Sequence, residues 1–297
     1  MCIVALARPV DMGSGHVDEE NWKYLVQYGY VSEDLASLSP TRHAYRQAIK
    51  TFAEDIGEDG ADHTRLSELM RSPRCSKSLQ NVKRRRRGKR FVAHVAKWGH
   101  KDISWRFRDP FEIFQNRTDF DIAKETLAHA FSMWSLASQY SLQFYDVSSR
   151  GNESVNETQN LDIDIFFATG SHGDHEAFDG KGGIVAHSGY PPEGKIHFDA
   201  SENWMINGDK GIDLRYVTLH ETGHALGLRH SKHKNAIMHP IYRTRNHQIA
   251  LSDDDIKGIR YLYPADTSMR ERFSSLMKNR NQAIGNSKVP PIDFEDY

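Results

Sequence analysis

The sequence is poor in three features that would point to other classes of protein. It has only two cysteines in 297 residues, Cys2 and Cys75, so the chain beyond residue 75 forms no disulfide within itself. It has no apolar run near the 18 residues of a membrane-spanning helix. Its 39 basic and 40 acidic residues give a net charge of −1, which excludes a global attraction to nucleic acid or to anionic membranes.

A dense metal-binding motif lies at residues 220–230, which read HETGHALGLRH. His220 and His224 are four residues apart, so on a helix both imidazoles project from one face and can bind one metal ion. Gly227 allows the backbone to leave the helix through a left-handed residue and to bring His230 round as a third ligand. Three protein ligands leave one position for water, as in catalytic zinc sites, and Glu221 stands beside the first ligand as a general base.

The alternative is an amphipathic helix that carries three histidines by coincidence. With 16 His and 21 Gly in the chain, the spacing of the three histidines and the glycine arises by chance at about one start position in 90,000. The motif therefore favours a catalytic zinc site.

Residues 236–242, AIMHPIY, carry a second signal. Met238 follows the third histidine by eight residues, where a thioether can form an apolar floor beneath the imidazoles. With Ser231 directly after His230, the two motifs resemble the matrix metalloproteinases, or matrixins, of the metzincin clan. The resemblance implies an α+β zincin catalytic domain with a twisted, five-stranded, mostly parallel sheet and three helices, preceded by a small all-α prodomain.

The resemblance extends upstream through residues 161–204 and implies two further metal sites. One is a closed structural zinc site, in which three imidazoles and a carboxylate fill a tetrahedron; its ligands are His172, Asp174, His187 and His197. The other is a calcium site with hard oxygen ligands; these are the carboxylates of Asp179, Asp199 and Glu202 and the carbonyl groups of Gly180, Gly182 and Ile184. A polar, histidine-rich surface loop is the alternative. The expected cofactors are thus two zinc ions and calcium.

A second calcium site, with Asp162 as a ligand, has the least support of the metal sites. The stretch between His187 and His197 is shorter than is usual in the family and lacks its Gly-Asp pair.

Residues 1–90 resemble the family's propeptide. Apolar residues recur at helical spacing from Trp22 to Phe52, which predicts a small bundle of helices. Cys75 follows Pro-Arg as in the cysteine switch, where a thiolate occupies the open zinc position and keeps the zymogen latent. Ser76–Leu79 depart from the family pattern and lack the acid that usually pairs with Arg74. We expect weak latency, or latency held by other contacts; a thiol with no metal role is the alternative.

A basic run at residues 83–90, KRRRRGKR, follows the switch. Taken alone, such a run is more often a nuclear-localisation or polyanion-binding patch. Between a prodomain-like and a catalytic-like segment, it is better explained as an exposed loop that a furin-like convertase cuts after Arg90. The new amino terminus would be Phe91, and the resemblance implies a salt bridge between its ammonium group and Asp254.

The predicted organisation is a propeptide at 1–90, a catalytic domain at 91–265 and a polar tail at 266–297, with no hemopexin-like domain. The resemblance implies a secreted protein of the extracellular space or matrix. The first eight residues form too short an apolar run for a signal peptide and lack its basic start, so we expect translation to begin upstream.

The resemblance implies an endopeptidase that cleaves extracellular matrix or other extracellular proteins. Substrates would bind in an extended conformation, adding to an edge strand at residues 183–188, and Tyr216 would floor a shallow S1′ pocket. Glu221 would take a proton from water and pass it to the leaving amine. Tissue-inhibitor-type proteins are possible partners. A catalytically silent, zinc-stabilised binding protein is the alternative of another class, and the presence of Glu221 argues against it.

Overall fold

A computed structural model describes residues 17–76, 96–148, 161–174, 176–206, 210–242 and 249–266, with single positions as far as Ser275. The predicted cleavage site, Arg90 and Phe91, and most of the predicted tail lie outside these residues. No helix in the described ranges is long and apolar enough to cross a membrane.

Four helices form the amino-terminal part of the structure: α1 (Glu19–Gln27), α2 (Glu33–Ala36), α3 (Arg42–Asp55) and α4 (His63–Met70). The side chains of Asp18, Thr41 and Asp62 accept hydrogen bonds from main-chain N–H groups in the first turns of α1, α3 and α4, as N-cap residues do. Leu25 and Phe52 are buried in a core that the helices share with residues of the catalytic part, such as Ile184 and Ile241, so the predicted helical bundle is present.

Six strands form one sheet in the order β1-β5-β6-β4-β2-β3. Their bounds are β1 (Arg74–Cys75), β2 (Asp102–Arg108), β3 (Gln143–Asp146), β4 (Ile163–Ala168), β5 (Ile184–Ser188) and β6 (Lys195–Asp199). Only the β5–β6 pair is antiparallel. The five strands from residue 102 onward, β2 to β6, are the predicted mostly parallel sheet. The remaining strand, β1, belongs to residues 73–76 around Cys75, which we call the switch segment.

Three helices accompany this sheet, as predicted: α5 (Arg117–Ala137), α6 (Leu214–Ala225) and α7 (Asp253–Leu262). A short second sheet pairs β7 (Trp204–Met205) with β8 (Ile212–Asp213). The long helix α5 packs on α6, and the indole of Trp134 donates a hydrogen bond to the carbonyl of Leu219 at 2.9 Å. This buried contact fixes α6, which carries the metal-binding motif, against the core.

The switch segment lies in a slit whose walls are β5 and the residues that follow the Met238 turn. Main-chain hydrogen bonds join the segment to both walls. Arg74 N–H donates to Gly183 at 3.0 Å and Ser76 N–H donates to Ala186 at 3.2 Å, on the β5 side. Cys75 N–H donates to Pro240 at 3.1 Å on the opposite side, because successive N–H groups of a strand alternate in direction. Within the catalytic part of the chain β5 is the outermost strand, and the propeptide strand β1 lies along its otherwise open edge.

Candidate metal centres and active site

The first metal centre is built on α6. His220 Nδ1 donates to the carbonyl of Ile237 at 2.7 Å, and His224 Nδ1 donates to that of Leu228 at 2.7 Å. Since a carbonyl can only accept, both Nδ1 atoms carry the proton and both Nε2 atoms present lone pairs. These two Nε2 atoms lie 3.1 Å apart and face the same point, as shared metal ligands do.

His230 reaches the same point because the chain turns at Gly227. Gly227 has φ +98°, and a Cβ there would lie 2.8 Å from the carbonyl oxygen of Ala96, so only glycine fits. His230 Nε2 is buried and has no hydrogen-bond partner among the described residues. Such an atom is costly to bury unless a metal ion binds it.

The thiol of Cys75 completes the group. One ligand atom each from Cys75, His220, His224 and His230 lies within 4.8 Å of the others. Burial lowers the pKa of His220 to about 3 and that of His230 well below its ordinary value, so both imidazoles are neutral at physiological pH. Three neutral imidazoles and one thiol form a donor set that fits zinc.

The turn around Met238 lies against this centre. A Cβ on Gly223 would lie 2.3 Å from the Met238 sulfur, so the glycine makes room for the thioether beneath α6. The buried carboxylate of Asp255 accepts hydrogen bonds from Ile237 N–H at 2.9 Å and from Met238 N–H at 3.1 Å. Asp255 thus fixes the floor of the site as well as capping α7.

The second metal centre brings together the four predicted structural-zinc ligands. His172 Nε2, His187 Nε2 and His197 Nδ1 lie 3.0–3.2 Å from one another, and each lies 2.9–3.0 Å from Asp174 Oδ2. Six similar distances among four atoms describe a tetrahedron, and zinc ligands at about 2.0–2.1 Å form one of similar size. The donor set and its shape fit a closed zinc site.

The three predicted carboxylate ligands of calcium, Asp179, Asp199 and Glu202, also lie near one another. Burial raises the pKa of Asp179 and of Glu202, and the charge of Asp199 raises both further. Asp199 is fully buried, and its Oδ2 has no hydrogen-bond partner within the described ranges. Carboxylates that repel one another, one of them with an unsatisfied buried oxygen, fit a divalent cation.

Asp162 is held by hydrogen bonds to β2 and its surroundings. Its carboxylate accepts hydrogen bonds from Ser104 N–H at 2.8 Å and Ser104 Oγ at 2.9 Å, and lies 2.9 Å from His100 Nε2. These contacts tie β2 to the residue before β4, and a second calcium site at Asp162 stays a prediction.

Arg74 is fully buried beside the switch cysteine, and tyrosines take the place of the acid that the family places after the cysteine. Its guanidinium lies 4.0 Å from the centroid of the Tyr28 ring and donates a hydrogen bond to Tyr24 Oη. Its Nε donates to the carbonyl of Cys75 at 3.0 Å. The arginine is thus held by what we call the tyrosine cage, Tyr24 and Tyr28. Sequence analysis did not identify these residues, because they lie about 50 residues before Arg74.

Two further predicted residues lie beside the active site. Asp254 accepts a hydrogen bond from Ser231 Oγ at 2.7 Å and lies 3.5 Å from His233 Nε2. Tyr216 meets the ring of Tyr242 edge-on at 5.7 Å, and Tyr242 in turn lies 5.1 Å from the ring of His220. Asp254 is the predicted partner of the new amino terminus, and Tyr216 is the predicted S1′ residue.

Comparison with known proteins agrees with this geometry. The Matrixin family profile matches residues 97–264. Stromelysin-3 of Homo sapiens is 37% identical over 205 residues, which cover 67% of this chain and 38% of that protein. Metalloendoproteinase 2-MMP of Arabidopsis thaliana is 37% identical over 180 residues, 57% of this chain and 45% of that protein. Metalloendoproteinase 1-MMP of the same plant is 31% identical over 282 residues, 89% of this chain and 74% of that protein.

The fold and the histidine-rich centre on α6 define a metzincin-type domain with a candidate zinc site. The chain belongs to the matrixin family. It spans less than half the length of the first two relatives named above.

Proposed function

We propose that this chain is the zymogen of a secreted endopeptidase that cleaves extracellular matrix or other extracellular proteins and is activated by a furin-like convertase after Arg90. The observation that carries the proposal is the convergence of Cys75 with His220, His224 and His230. A propeptide thiol among three histidines has a clear purpose in a latent protease and none in a binding protein.

The catalytic step requires a base beside the metal centre. A zinc ion held by His220, His224 and His230 would polarise the scissile carbonyl and make the attacking water more acidic. Glu221 is fully buried on the same helix and takes the proton of that water, then delivers it to the leaving amine. The deep burial of Glu221 keeps competing solvent away from the carboxylate.

Latency follows from occupation of the slit. The switch segment uses the N–H and carbonyl groups that an extended substrate would use, and its thiol fills the fourth position of the metal centre. Cleavage after Arg90 separates this segment from the catalytic part of the chain, so the slit becomes available to substrates and to tissue-inhibitor-type proteins.

The remaining cofactors are a second zinc ion, bound by His172, Asp174, His187 and His197, and calcium at Asp179, Asp199 and Glu202. These two ions would fix the loop before β5. The zinc ligands join that loop to β6, and the calcium ligands join it to the end of β6 and the turn that follows.

The test compares the full chain before and after treatment with furin, using a fluorogenic peptide library, with and without a zinc chelator. We expect two zinc ions per chain by elemental analysis, little cleavage before processing and chelator-sensitive cleavage afterwards. A processed, zinc-loaded protein that cleaves no peptide would instead support the zinc-stabilised binding protein.

A further inference from the structure

Two hydroxyl groups hold the carboxylate of Glu221 from opposite sides. Tyr242 Oη donates a hydrogen bond to Oε1, and Ser188 Oγ donates one to Oε2. Ser188 Oγ also lies 3.0 Å from the main-chain oxygen of Glu221. The side chains of Ser188 and Tyr242 are buried, at 1% and 4% exposure, so water does not compete for these contacts.

The roles of donor and acceptor are fixed by chemistry. An ionised carboxylate can only accept, so both hydroxyls donate to it. The phenol of Tyr242 has an ordinary pKa of about 10, so it keeps the proton that it donates. Hydrogen bonds to a charged acceptor are about twice as strong as those between neutral groups, so each contact restrains the carboxylate appreciably.

The two donors come from opposite walls of the slit. Ser188 is the last residue of β5, whereas Tyr242 follows the Met238 turn and hydrogen-bonds the switch segment through its own N–H, which donates to Pro73 at 2.9 Å. The side chain of Glu221 therefore lies between the two walls. Any peptide that lies in the slit contacts the same two elements that hold the base.

We propose that Ser188 and Tyr242 are positioning residues that fix the Glu221 carboxylate in the orientation needed for proton transfer. The inference rests on the proposed role of Glu221 as general base. A carboxylate has about four lone-pair sites, so it can accept both hydroxyl hydrogen bonds and still accept the proton of the attacking water. Neither residue contacts the reacting atoms; both act through Glu221.

The expected effect follows from how strongly proton transfer depends on geometry. A displacement of about 1 Å costs as much as about 100-fold in rate, and a carboxylate that loses one of two donors is displaced by less than that. We expect Ser188→Ala and Tyr242→Phe each to lower kcat by about tenfold. KM should change less than twofold, because neither hydroxyl binds substrate. Ser188→Thr, which keeps the hydroxyl, should restore most of kcat.

The experiment uses the zinc-loaded full chain after furin processing, with conversion checked by mass spectrometry and zinc content by elemental analysis. The first readout is kcat and KM on a fluorogenic peptide. The second is the dissociation constant of acetohydroxamate, a zinc-binding probe whose acidic proton the Glu221 carboxylate accepts, and it needs no turnover. The matched control is Ser132→Ala, since Ser132 is exposed on α5 and, among the residues that the structure describes, its hydroxyl bonds within that helix, to the carbonyl of Ala128 at 3.0 Å.

The outcomes separate this inference from the proposed function. A lower kcat with unchanged KM, weaker acetohydroxamate binding and recovery in Ser188→Thr would support the positioning role. Wild-type kcat in both Ser188→Ala and Tyr242→Phe would overturn it, as would a loss in Ser188→Thr equal to that in Ser188→Ala. If the processed wild type cleaves no peptide, the proposed function fails. The probe then still decides: weaker binding in both variants supports the positioning role, and equal binding overturns it.

Discussion

The tyrosine cage around Arg74 leads to a quantitative prediction about latency. Tyr24→Phe removes one hydrogen bond from a buried guanidinium, and a hydrogen bond to a charged group contributes about 1.5–3 kcal/mol. Tyr28→Leu removes a cation–π contact at 4.0 Å, worth about 2 kcal/mol when desolvated. Because 1.4 kcal/mol is a factor of ten, Tyr24→Phe should raise the undocked population of the switch by about 10- to 150-fold and Tyr28→Leu by about 30-fold.

The assay is the rate at which the Cys75 thiol reacts with a chromogenic disulfide in the zinc-loaded full chain. A Cys2→Ser background leaves Cys75 as the only thiol, and Arg90→Ala prevents processing. When opening and closing are fast, the reaction rate follows the undocked population, so both tyrosine variants should react at least about tenfold faster than the parent. Activity of the unprocessed chain should rise in parallel.

The matched control is Tyr45→Phe, which removes a buried tyrosine hydroxyl from the same helical bundle but not from the cage. Tyr45 Oη lies 2.7 Å from His63 Nε2. If Tyr24→Phe reacts at the parental rate, the cage does not hold the switch. If Tyr45→Phe reacts as fast as Tyr24→Phe, general loosening of the bundle explains the effect, and the reasoning from Arg74 is wrong.

Three further predictions concern the catalytic part of the chain. Glu221→Ala should keep its zinc by elemental analysis yet lose about 10²–10⁴-fold in kcat, and near wild-type turnover would rule out its role as base. Asp254→Asn should change the activity of the processed enzyme only a fewfold, since a partly exposed ion pair with the Phe91 ammonium contributes about 0–1 kcal/mol; activity equal to that of the wild type would remove the terminus from the mechanism. Asp255→Ala should lower the free energy of unfolding in denaturant titrations by at least about 2 kcal/mol, because the buried N–H groups of Ile237 and Met238 lose their acceptor, and an unchanged midpoint would contradict this.

Local spacing predicted the parts of the structure that depend on neighbouring residues. The i, i+4 pair of His220 and His224 predicted the shared face of α6, and Gly227 predicted the left-handed exit, because both follow from backbone geometry over a few residues. Apolar residues at helical spacing predict a helix over residues 121–138, and the Ser and Asp capping residues predict another over about 252–263; α5 and α7 agree with these bounds to within about four residues.

Elements without a clear period were missed. β6 is buried at four of its five positions, so it lacks the alternation that predicts a strand, although it carries His197. β3 is short and mostly exposed, and α4 is only eight residues long. Only the resemblance to a family, and no spacing rule, predicted that His197 is a metal ligand.

Contacts between distant residues could not be predicted from the sequence. The pair Ser188 and Glu221 is separated by 33 residues, and the pair Tyr24 and Arg74 by 50. Each depends on how strands and helices from different parts of the chain pack together. The missing acid after Cys75 predicted a change in how Arg74 is held, but the tyrosines that hold it became evident only from the fold.

The slit that receives the switch segment also determines which proteins can be cut. Main-chain hydrogen bonds run from residues 73–76 to both walls, so a peptide in this position is extended and pairs with the walls and not with a helix or a sheet of its own. A folded protein offers such a segment only while that segment is locally open, and each 1.4 kcal/mol of opening free energy makes it about tenfold less available. How readily a protein is cleaved would therefore depend on the local stability of its chain as well as on its side chains. Flexible connectors and strained or damaged regions would be cut first.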